Sequence, residues 1–216
     1  MKPIQTILNL IYPPKCPFCG HVLERGEADL CFRCQRSLPW TEGQNAAVDF
    51  CDVSLSPLKY RDGVRHAVHR YKFNYGRIHS KFLGTLMAQC LHDRWSEQVD
   101  AVVWVPLSKK HRRKRGYDQA ELLARRVGEL SGIPVLDALE KTRETATQSL
   151  LEKPSERRAN VLGAYRVREG AELQGKRVVL VDDVVTSGAT LAECAACLRM
   201  AGAKQVIALT LACAKK

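Results

Sequence analysis

The stretch VVLVDDVVTSGAT, from Val178 to Thr190, constrains the fold more than any other part of the sequence. Its first four residues are continuously apolar, which is typical of a parallel β-strand buried on both faces. Two aspartates follow, and a small, hydroxyl-rich turn then leads into a helical segment. In parallel sheets covered by helices, ligands bind beyond the carboxyl ends of the strands. The stretch therefore predicts a buried strand with Asp182 and Asp183 at the edge of a binding site.

The turn after the aspartates suits a phosphate group. It contains Thr186, Ser187, Gly188, Ala189 and Thr190. A helix N-terminus offers free N–H groups and a positive dipole end, the hydroxyls add donors, and glycine permits close approach. Carboxylates favour hydroxyls or a cation, so a sugar phosphate satisfies both ends, with the ribose on the aspartates and the 5′-phosphate on the turn. The alternatives are an ordinary surface turn and a general acid–base pair. Adjacent strand residues point to opposite faces, which disfavours the pair.

The rest of the chain alternates between strand and helix patterns. The predicted strands are VDAVVWVP, IPVLDAL, AYRVRE, KRVVLVDDVV and QVIALTLAC. Predicted helices include one capped by Asp118 and one from about Gly188 to Met200. The spacing of Ile78, Phe82, Leu86 and Cys90 predicts a further amphipathic helix. This alternation indicates an α/β fold, with a mostly parallel sheet flanked by helices.

Four of the nine cysteines form two Cys-x-x-Cys pairs, at Cys16, Cys19, Cys31 and Cys34. Each pair can direct two sulfurs at one point, so together they predict a tetrahedral zinc centre. Four thiolates leave no open position on the metal, so the zinc is predicted to be structural. An iron–sulfur site and reduced thiols are the alternatives. Cys194 and Cys197 lie mid-helix and are interpreted as packing residues.

The chain has 216 residues, which suits one ordinary domain and a smaller unit. We predict a zinc ribbon over residues 1–42, a linker over 43–56 and the α/β domain over 57–216. The opening apolar run, IQTILNLIY, is too short to cross a bilayer and lacks the features of a signal peptide. A cytoplasmic protein without a membrane span is therefore expected.

The net charge of +11 predicts an affinity for polyanions. The positive charge is concentrated in KKHRRKR, which contains Lys109, Lys110, Arg112, Arg113 and Arg115. Arginine forms bidentate contacts with phosphate, and Tyr117 just beyond the run can stack on a base. Nucleic acid and phosphorylated metabolites both suit such a run, and a solvated basic loop is the remaining alternative.

The acidic strand end and the turn after it resemble the phosphoribosyl-pyrophosphate (PRPP) loop of type I phosphoribosyltransferases. This resemblance implies that Asp182 and Asp183 are the catalytic-site carboxylates that hold the ribose of Mg²⁺-bound PRPP. It also implies that a second loop, formed by Val105, Pro106, Leu107 and Ser108, holds pyrophosphate. The polar run over residues 141–160 lies where these enzymes carry a flexible lid.

The order of the motifs along the chain is similar to that of the ComF family, also called GntX-like. The order is the four-cysteine ribbon, then LKYRDGVRHAVHRYKFNYG, RKRGYDQAELLA and LVDDVVTSGAT. The resemblance implies a role in natural competence, with single-stranded DNA and competence-machinery proteins as partners. A non-catalytic PRPP-sensing factor and a true phosphoribosyltransferase of nucleotide metabolism are the alternatives. The acceptor, catalytic activity and oligomeric state stay open.

Overall fold

The computed structural model describes residues 13–43, 47–73, 76–145 and 153–214. The helices are α1 (Phe32–Ser37), α2 (Asp62–Phe73), α3 (Ser80–Arg94), α4 (Lys109–Arg115), α5 (Gln119–Ser131), α6 (Pro154–Val161) and α7 (Ala189–Met200). The strands are β1 (Val53–Leu55), β2 (Leu58–Lys59), β3 (Ala101–Trp104), β4 (Val135–Leu136), β5 (Leu139–Lys141), β6 (Tyr165–Val167), β7 (Arg177–Val185) and β8 (Gln205–Cys213). A 3₁₀ turn, Gly76–His79, joins α2 to α3.

The main sheet is parallel throughout its described pairings, in the order β1-β8-β7-β3-β4. The short β2 also pairs with β8. Strands β5 and β6 form a separate antiparallel pair. Long apolar runs form β7 and β8 because both faces of these central strands are covered. The predicted α/β class with a mostly parallel sheet is confirmed.

Two apolar cores lie on the two faces of this sheet. Val179 and Val181 of β7 pack in the first core, with residues of α2, α3, α5 and the four-cysteine segment. Val178 and Leu180 pack in the second core, with residues of α7, β5 and β6. The period-two alternation of a strand produces this division over residues 178–181.

The segment predicted as a linker, residues 43–56, contains β1, which pairs with β8. Arg94 of α3 also binds this region, with hydrogen bonds to the Thr41 carbonyl at 2.7 Å, the Gly43 carbonyl at 2.9 Å and the Ser56 carbonyl at 3.2 Å. The boundary between the ribbon and the α/β domain stays a prediction.

Strand β7 runs to Val185, as predicted by the segment KRVVLVDDVV, so Asp182 and Asp183 lie inside the strand near its end. Other local expectations differ from the structure. The basic run forms helix α4, and the polar run over 141–160 contains helix α6. Residues 146–152 of that run lie outside the described residues.

Of the stripe predicted for α3, Ile78 is 79% exposed and lies before the helix, whereas Cys90 is buried and Phe82 and Leu86 pack partly buried against the same core. Leu83 and Met87 complete the buried face.

No helix in the described part of the chain is both long and apolar enough to span a bilayer.

Candidate sugar-phosphate site and four-cysteine centre

Asp182 and Asp183 lie on opposite faces of β7. Asp183 is buried and continues the face of Val179 and Val181, toward α2. Asp182 is half-buried and continues the face of Val178 and Leu180. One of its carboxylate oxygens accepts a hydrogen bond from the N–H of Asp183 at 2.7 Å. The two carboxylates therefore meet different layers of the fold, although they are adjacent in sequence.

The electrostatics of this pair favour a nearby cation. Burial raises the pKa of Asp182, the negative charge of Asp183 raises it further, and the Lys72 ammonium acts in the opposite direction. Two carboxylates close together disfavour each other's ionisation, and a cation relieves this repulsion. Lys72 of α2 supplies one, with its Nζ 2.9 Å from Asp183 Oδ2.

The predicted pyrophosphate loop, residues 105–108, begins beside the aspartates. Trp104 of β3 is paired with Val181 of β7, and the N–H of Val105 donates to the Val181 carbonyl at 2.9 Å. Val105 and Pro106 are buried, and Leu107 is half-buried. The parallel register therefore brings the start of this loop to the same edge as the acidic pair.

Asp118 anchors the loop from the side. Its Oδ2 accepts a hydrogen bond from the N–H of Leu107 at 2.7 Å, and its Oδ1 caps α5 through the N–H of Ala120 at 3.1 Å. Burial raises the pKa of Asp118, and the hydrogen bonds from Leu107 and Glu121 oppose this. One buried carboxylate thus joins the loop to the start of α5.

Ser108 ends the loop and begins α4. Its hydroxyl accepts from the N–H of His111 at 3.3 Å and lies 2.9 Å from Glu144 Oε2, to which it donates. Glu144 belongs to the run predicted as a lid. The first part of this run therefore contacts the loop that it is predicted to cover.

The turn from Thr186 to Thr190 enters α7. Gly188 is the N-cap, with a φ of +83°, and a Cβ there would lie 3.3 Å from Val48 Cγ2. The Ser187 hydroxyl accepts from the N–H of Ala189 at 3.4 Å. Arg157 of α6 donates to the Thr186 hydroxyl at 3.3 Å. A cavity of about 170 Å³ adjoins the turn, and Ser187, Gly188 and Ala189 line part of it.

The basic run forms α4, which has no buried residue. Arg112 contacts Glu121 at 3.1 Å, and Arg115 donates to the Gln119 side chain at 2.7 Å. Lys109, Lys110 and Arg113 are exposed. Tyr117 is half-buried, its hydroxyl donates to the Tyr71 carbonyl, and its ring centroid lies 6.2 Å from that of Tyr71. The predicted stacking of Tyr117 on a base stays a prediction.

The four cysteines of the two knuckles converge at one point. Their sulfurs all lie within 4.8 Å of one another, and those of Cys19 and Cys31 are 3.6 Å apart. A tetrahedral zinc centre with bonds of about 2.3 Å separates its sulfurs by about 3.8 Å, so the set fits zinc. Gly20, with a φ of +80°, closes the first knuckle. Burial raises the pKa of Cys31 and Cys34, whereas at Cys16 backbone N–H groups outweigh burial and lower the pKa to about 7.

Comparisons with known proteins agree with these two regions. A family model described as a phosphoribosyl transferase domain matches residues 113–216, and one described as a double zinc ribbon domain matches residues 7–62. DNA utilization protein YhgH of Escherichia coli K12 is 34% identical over 197 residues, which cover 88% of this chain and 80% of that protein. Competence protein F of Haemophilus influenzae is 29% identical, over 88% of this chain and 82% of that protein. Competence protein ComFC of Streptococcus pneumoniae is 28% identical, over 91% of this chain and 86% of that protein.

The chain belongs to the ComF family. The relatives named for DNA utilization and competence match this ComF-family protein over most of its length. The chain combines a phosphoribosyltransferase domain with a zinc ribbon. The predicted family and the predicted four-cysteine ribbon are confirmed. The assignments of individual site residues stay predictions.

Three residues at the candidate site of this ComF-family chain were not predicted from sequence to contribute there. Lys72 lies within the cationic run HRYK, and nothing in the sequence separates it from its neighbours. The cap pattern identified Asp118 at the start of α5, but not its bond to Leu107. Glu144 lies in a run without periodicity, so its contact with Ser108 had no sequence signal.

Proposed function

We propose that this protein binds Mg²⁺-PRPP at the carboxyl edge of the parallel sheet. The ribose hydroxyls contact Asp182 and Asp183, the pyrophosphate contacts the loop of residues 105–108, and the 5′-phosphate contacts the turn from Thr186 to Thr190. The observation that supports this proposal is the register of β3 on β7, because it brings both loops and both carboxylates to one edge.

Each part of the edge suits one part of the ligand. Carboxylates accept strong hydrogen bonds from hydroxyls, and a helix N-terminus favours a phosphate. Carboxylate oxygens also suit Mg²⁺, which is bound through one or two carboxylates together with substrate phosphates. Magnesium would neutralise charge on the pyrophosphate, and the aspartates are the described residues best suited to hold it.

If the protein is catalytic, an acceptor nucleophile displaces pyrophosphate at the ribose C1 carbon. Negative charge then grows on the leaving pyrophosphate, where fixed N–H groups and cations stabilise it. A non-catalytic PRPP-sensing factor would keep the same contacts without this step. Pyrophosphate release measured with candidate acceptors separates these two possibilities.

We further propose that the protein binds single-stranded DNA through α4. No residue of this helix is buried, so its cationic side chains are accessible to DNA phosphates. The helix begins directly after the predicted pyrophosphate loop, and the net charge of the chain is +11. The names of the relatives, DNA utilization protein and competence protein, add support.

Calorimetry with Mg²⁺-PRPP tests the sugar-phosphate proposal. We expect binding by the wild-type chain, and weakening by about 2–4 kcal/mol in the double variant Asp182→Asn, Asp183→Asn, on the scale of lost charge-assisted hydrogen bonds. The exposed pair Asp29→Asn, Asp93→Asn removes the same charge elsewhere and should bind normally. Equal affinity in the wild-type chain and the site variant would show that the aspartates do not hold the ligand.

A further inference from the structure

Lys72 places a cation on one of the two carboxylates proposed to hold the ribose. Its Nζ lies 2.9 Å from Asp183 Oδ2, and the side chains are 27% and 12% exposed. Burial lowers the pKa of Lys72, but Asp183 and Asp182 outweigh this and raise it. The ammonium is therefore held in its charged form at the edge of the sheet.

The end of α2 that carries Lys72 also lies beside the anchor of the pyrophosphate loop. The Tyr71 hydroxyl donates to the Gln119 carbonyl at 2.8 Å. The backbone carbonyl of Tyr71 accepts a hydrogen bond from the Tyr117 hydroxyl. Gln119 and Tyr117 flank Asp118, which binds the N–H of Leu107. The residue next to Lys72 is thus tied to the segment that anchors the loop proposed to hold pyrophosphate.

A lysine in this position can exchange one partner for another. Its ammonium is a compact charge on a flexible four-carbon stem, so moving between anions requires no fixed fork geometry. When ribose hydroxyls bind Asp183, the carboxylate gains other donors, and the pyrophosphate offers the ammonium a more highly charged anion. For a partly buried ion pair such as Lys72–Asp183, the cost of desolvation offsets most of the Coulombic attraction, so the pair adds little to folding stability. A role in ligand binding accounts for its presence better than a role in stability does.

The four-cysteine ribbon also contacts α2, through Arg70, which lies two residues before Lys72. The Arg70 guanidinium donates to the carbonyls of Pro17 and Phe18, each at 3.2 Å, and lies 3.5 Å from that of Cys16. These carbonyls belong to the first zinc knuckle. A Cβ on Gly20 would lie 3.2 Å from Arg70 Nη1, so the glycine leaves room for this contact.

We infer that Lys72 leaves Asp183 when PRPP binds and contacts the pyrophosphate instead, and that the zinc knuckle positions Lys72 through Arg70. This inference rests on the proposed PRPP site. Lys72 is then a ligand-binding residue, and Arg70 is a positioning residue that acts through it.

Calorimetry with Mg²⁺-PRPP on the full chain tests the role of Lys72. We expect Lys72→Met to weaken binding about tenfold or more, because a charge-assisted contact is lost. Lys72→Arg keeps the charge and should recover most of the affinity. Arg65→Met removes a charge from the exposed side of the same helix and should bind like the wild-type chain.

The outcomes separate the two proposals. A wild-type chain that does not bind PRPP defeats the proposed function. A wild-type chain that binds, with Lys72→Met binding equally well, defeats the inference and leaves the site standing. If Lys72→Met does not fold, Lys72→Gln serves as the neutral variant, and wild-type affinity in that variant overturns the inference in the same way.

A double-variant cycle tests the positioning role of Arg70. Arg70→Met should weaken PRPP binding about threefold to tenfold, while zinc content stays at the wild-type level, since the cysteines are unchanged. The double variant Arg70→Met, Lys72→Met should bind no more weakly than Lys72→Met alone. Additive losses would show that Arg70 does not act through Lys72, and normal affinity in Arg70→Met would show that the ribbon contact has no effect on the site.

Discussion

The four-cysteine ribbon and the carboxyl edge of the sheet differ in how far along the chain their parts are spread. All four sulfurs come from one short segment, from Cys16 to Cys34. The edge is assembled from α2, the loop after β3, the start of α5 and the end of β7. A metal can organise the first region locally, whereas the second exists only after the whole sheet has formed.

This difference has a physical consequence for stability. A segment as short as the ribbon cannot bury a large core of its own, so metal binding supplies much of its folding free energy. The edge instead depends on many weaker contacts that reinforce one another. Removing a single group should therefore affect the ribbon much more strongly than the edge.

The largest effect is expected from loss of a zinc ligand. Cys16→Ser should abolish zinc binding and unfold the ribbon locally, because a structural zinc contributes on the order of 10 kcal/mol in small zinc domains. Elemental analysis should show about one zinc per wild-type chain and almost none in the variant. Hydrogen exchange should rise over residues 14–38 and change far less in β7 and β8.

Cys90→Ser is a matched control, since Cys90 is a buried cysteine outside the cluster. It should keep the wild-type zinc content. A wild-type chain that contains iron with visible absorbance, or no metal, would contradict the zinc assignment. Equal loss of protection in the ribbon and in β7 would show that the two regions fold as one unit.

The same contrast explains how much of the molecule could be predicted from sequence. The spacing of the cysteines was sufficient for the ribbon, because knuckle geometry is local. The apolar run of β7 and the glycine before α7 likewise predicted a strand followed by a helix. The segment KRVVLVDDVV was predicted as one strand, and β7 does continue through Asp182 and Asp183, although aspartate is depleted in strands. Pairing of Asp182 with Thr210 and of Val184 with Ala212 overrides that preference.

Two helices were missed although their end signals are present in the sequence. Ser108 caps α4 and Gly116 ends it with a φ of +78°, but the run of like charges favoured a loop. Pro154 begins α6 and Glu156 follows in its first turn. Lys72 differs from these cases, because only the tertiary packing of α2 against β7 brings it to Asp183. No local pattern could have identified it.

An intermediate effect is expected at Asp118, where the edge depends on one buried carboxylate. Asp118→Ala removes the cap of α5 and leaves the N–H of Leu107 without this acceptor. Loss of a cap costs about 1 kcal/mol, and a buried unsatisfied group costs a further 1–3 kcal/mol. We expect a free energy of unfolding lower by about 2–4 kcal/mol in urea denaturation, with weaker PRPP binding and unchanged zinc content.

Asp118→Asn separates the two functions of this side chain. Asparagine caps helices about as well as aspartate, so α5 should remain capped. Its amide group supplies only one oxygen, so it cannot accept from both α5 and Leu107 on separate oxygens. The free energy of PRPP binding should therefore change more than the free energy of unfolding. Wild-type affinity in Asp118→Asn would show that the contact with Leu107 does not support the pyrophosphate loop.

The smallest effect is expected at α4, where binding of DNA depends on exposed charge and not on a defined pocket. If phosphate contacts dominate, the logarithm of affinity for single-stranded DNA falls linearly with the logarithm of salt concentration, by about 0.7 for each contact. The triple variant Arg112→Ala, Arg113→Ala, Arg115→Ala should flatten this slope by about 2 if all three arginines reach phosphates. Arg112 and Arg115 already bind Glu121 and Gln119, and these partners compete with DNA phosphates. The salt slope should therefore flatten by about 2 at most.

The exposed arginines of the ribbon provide a control of equal charge, in the triple variant Arg25→Ala, Arg33→Ala, Arg36→Ala. Fluorescence anisotropy over a salt series measures both slopes. Equal flattening in the two variants would assign DNA binding to net charge alone, and an unchanged slope in the α4 variant would exclude this helix as the DNA contact.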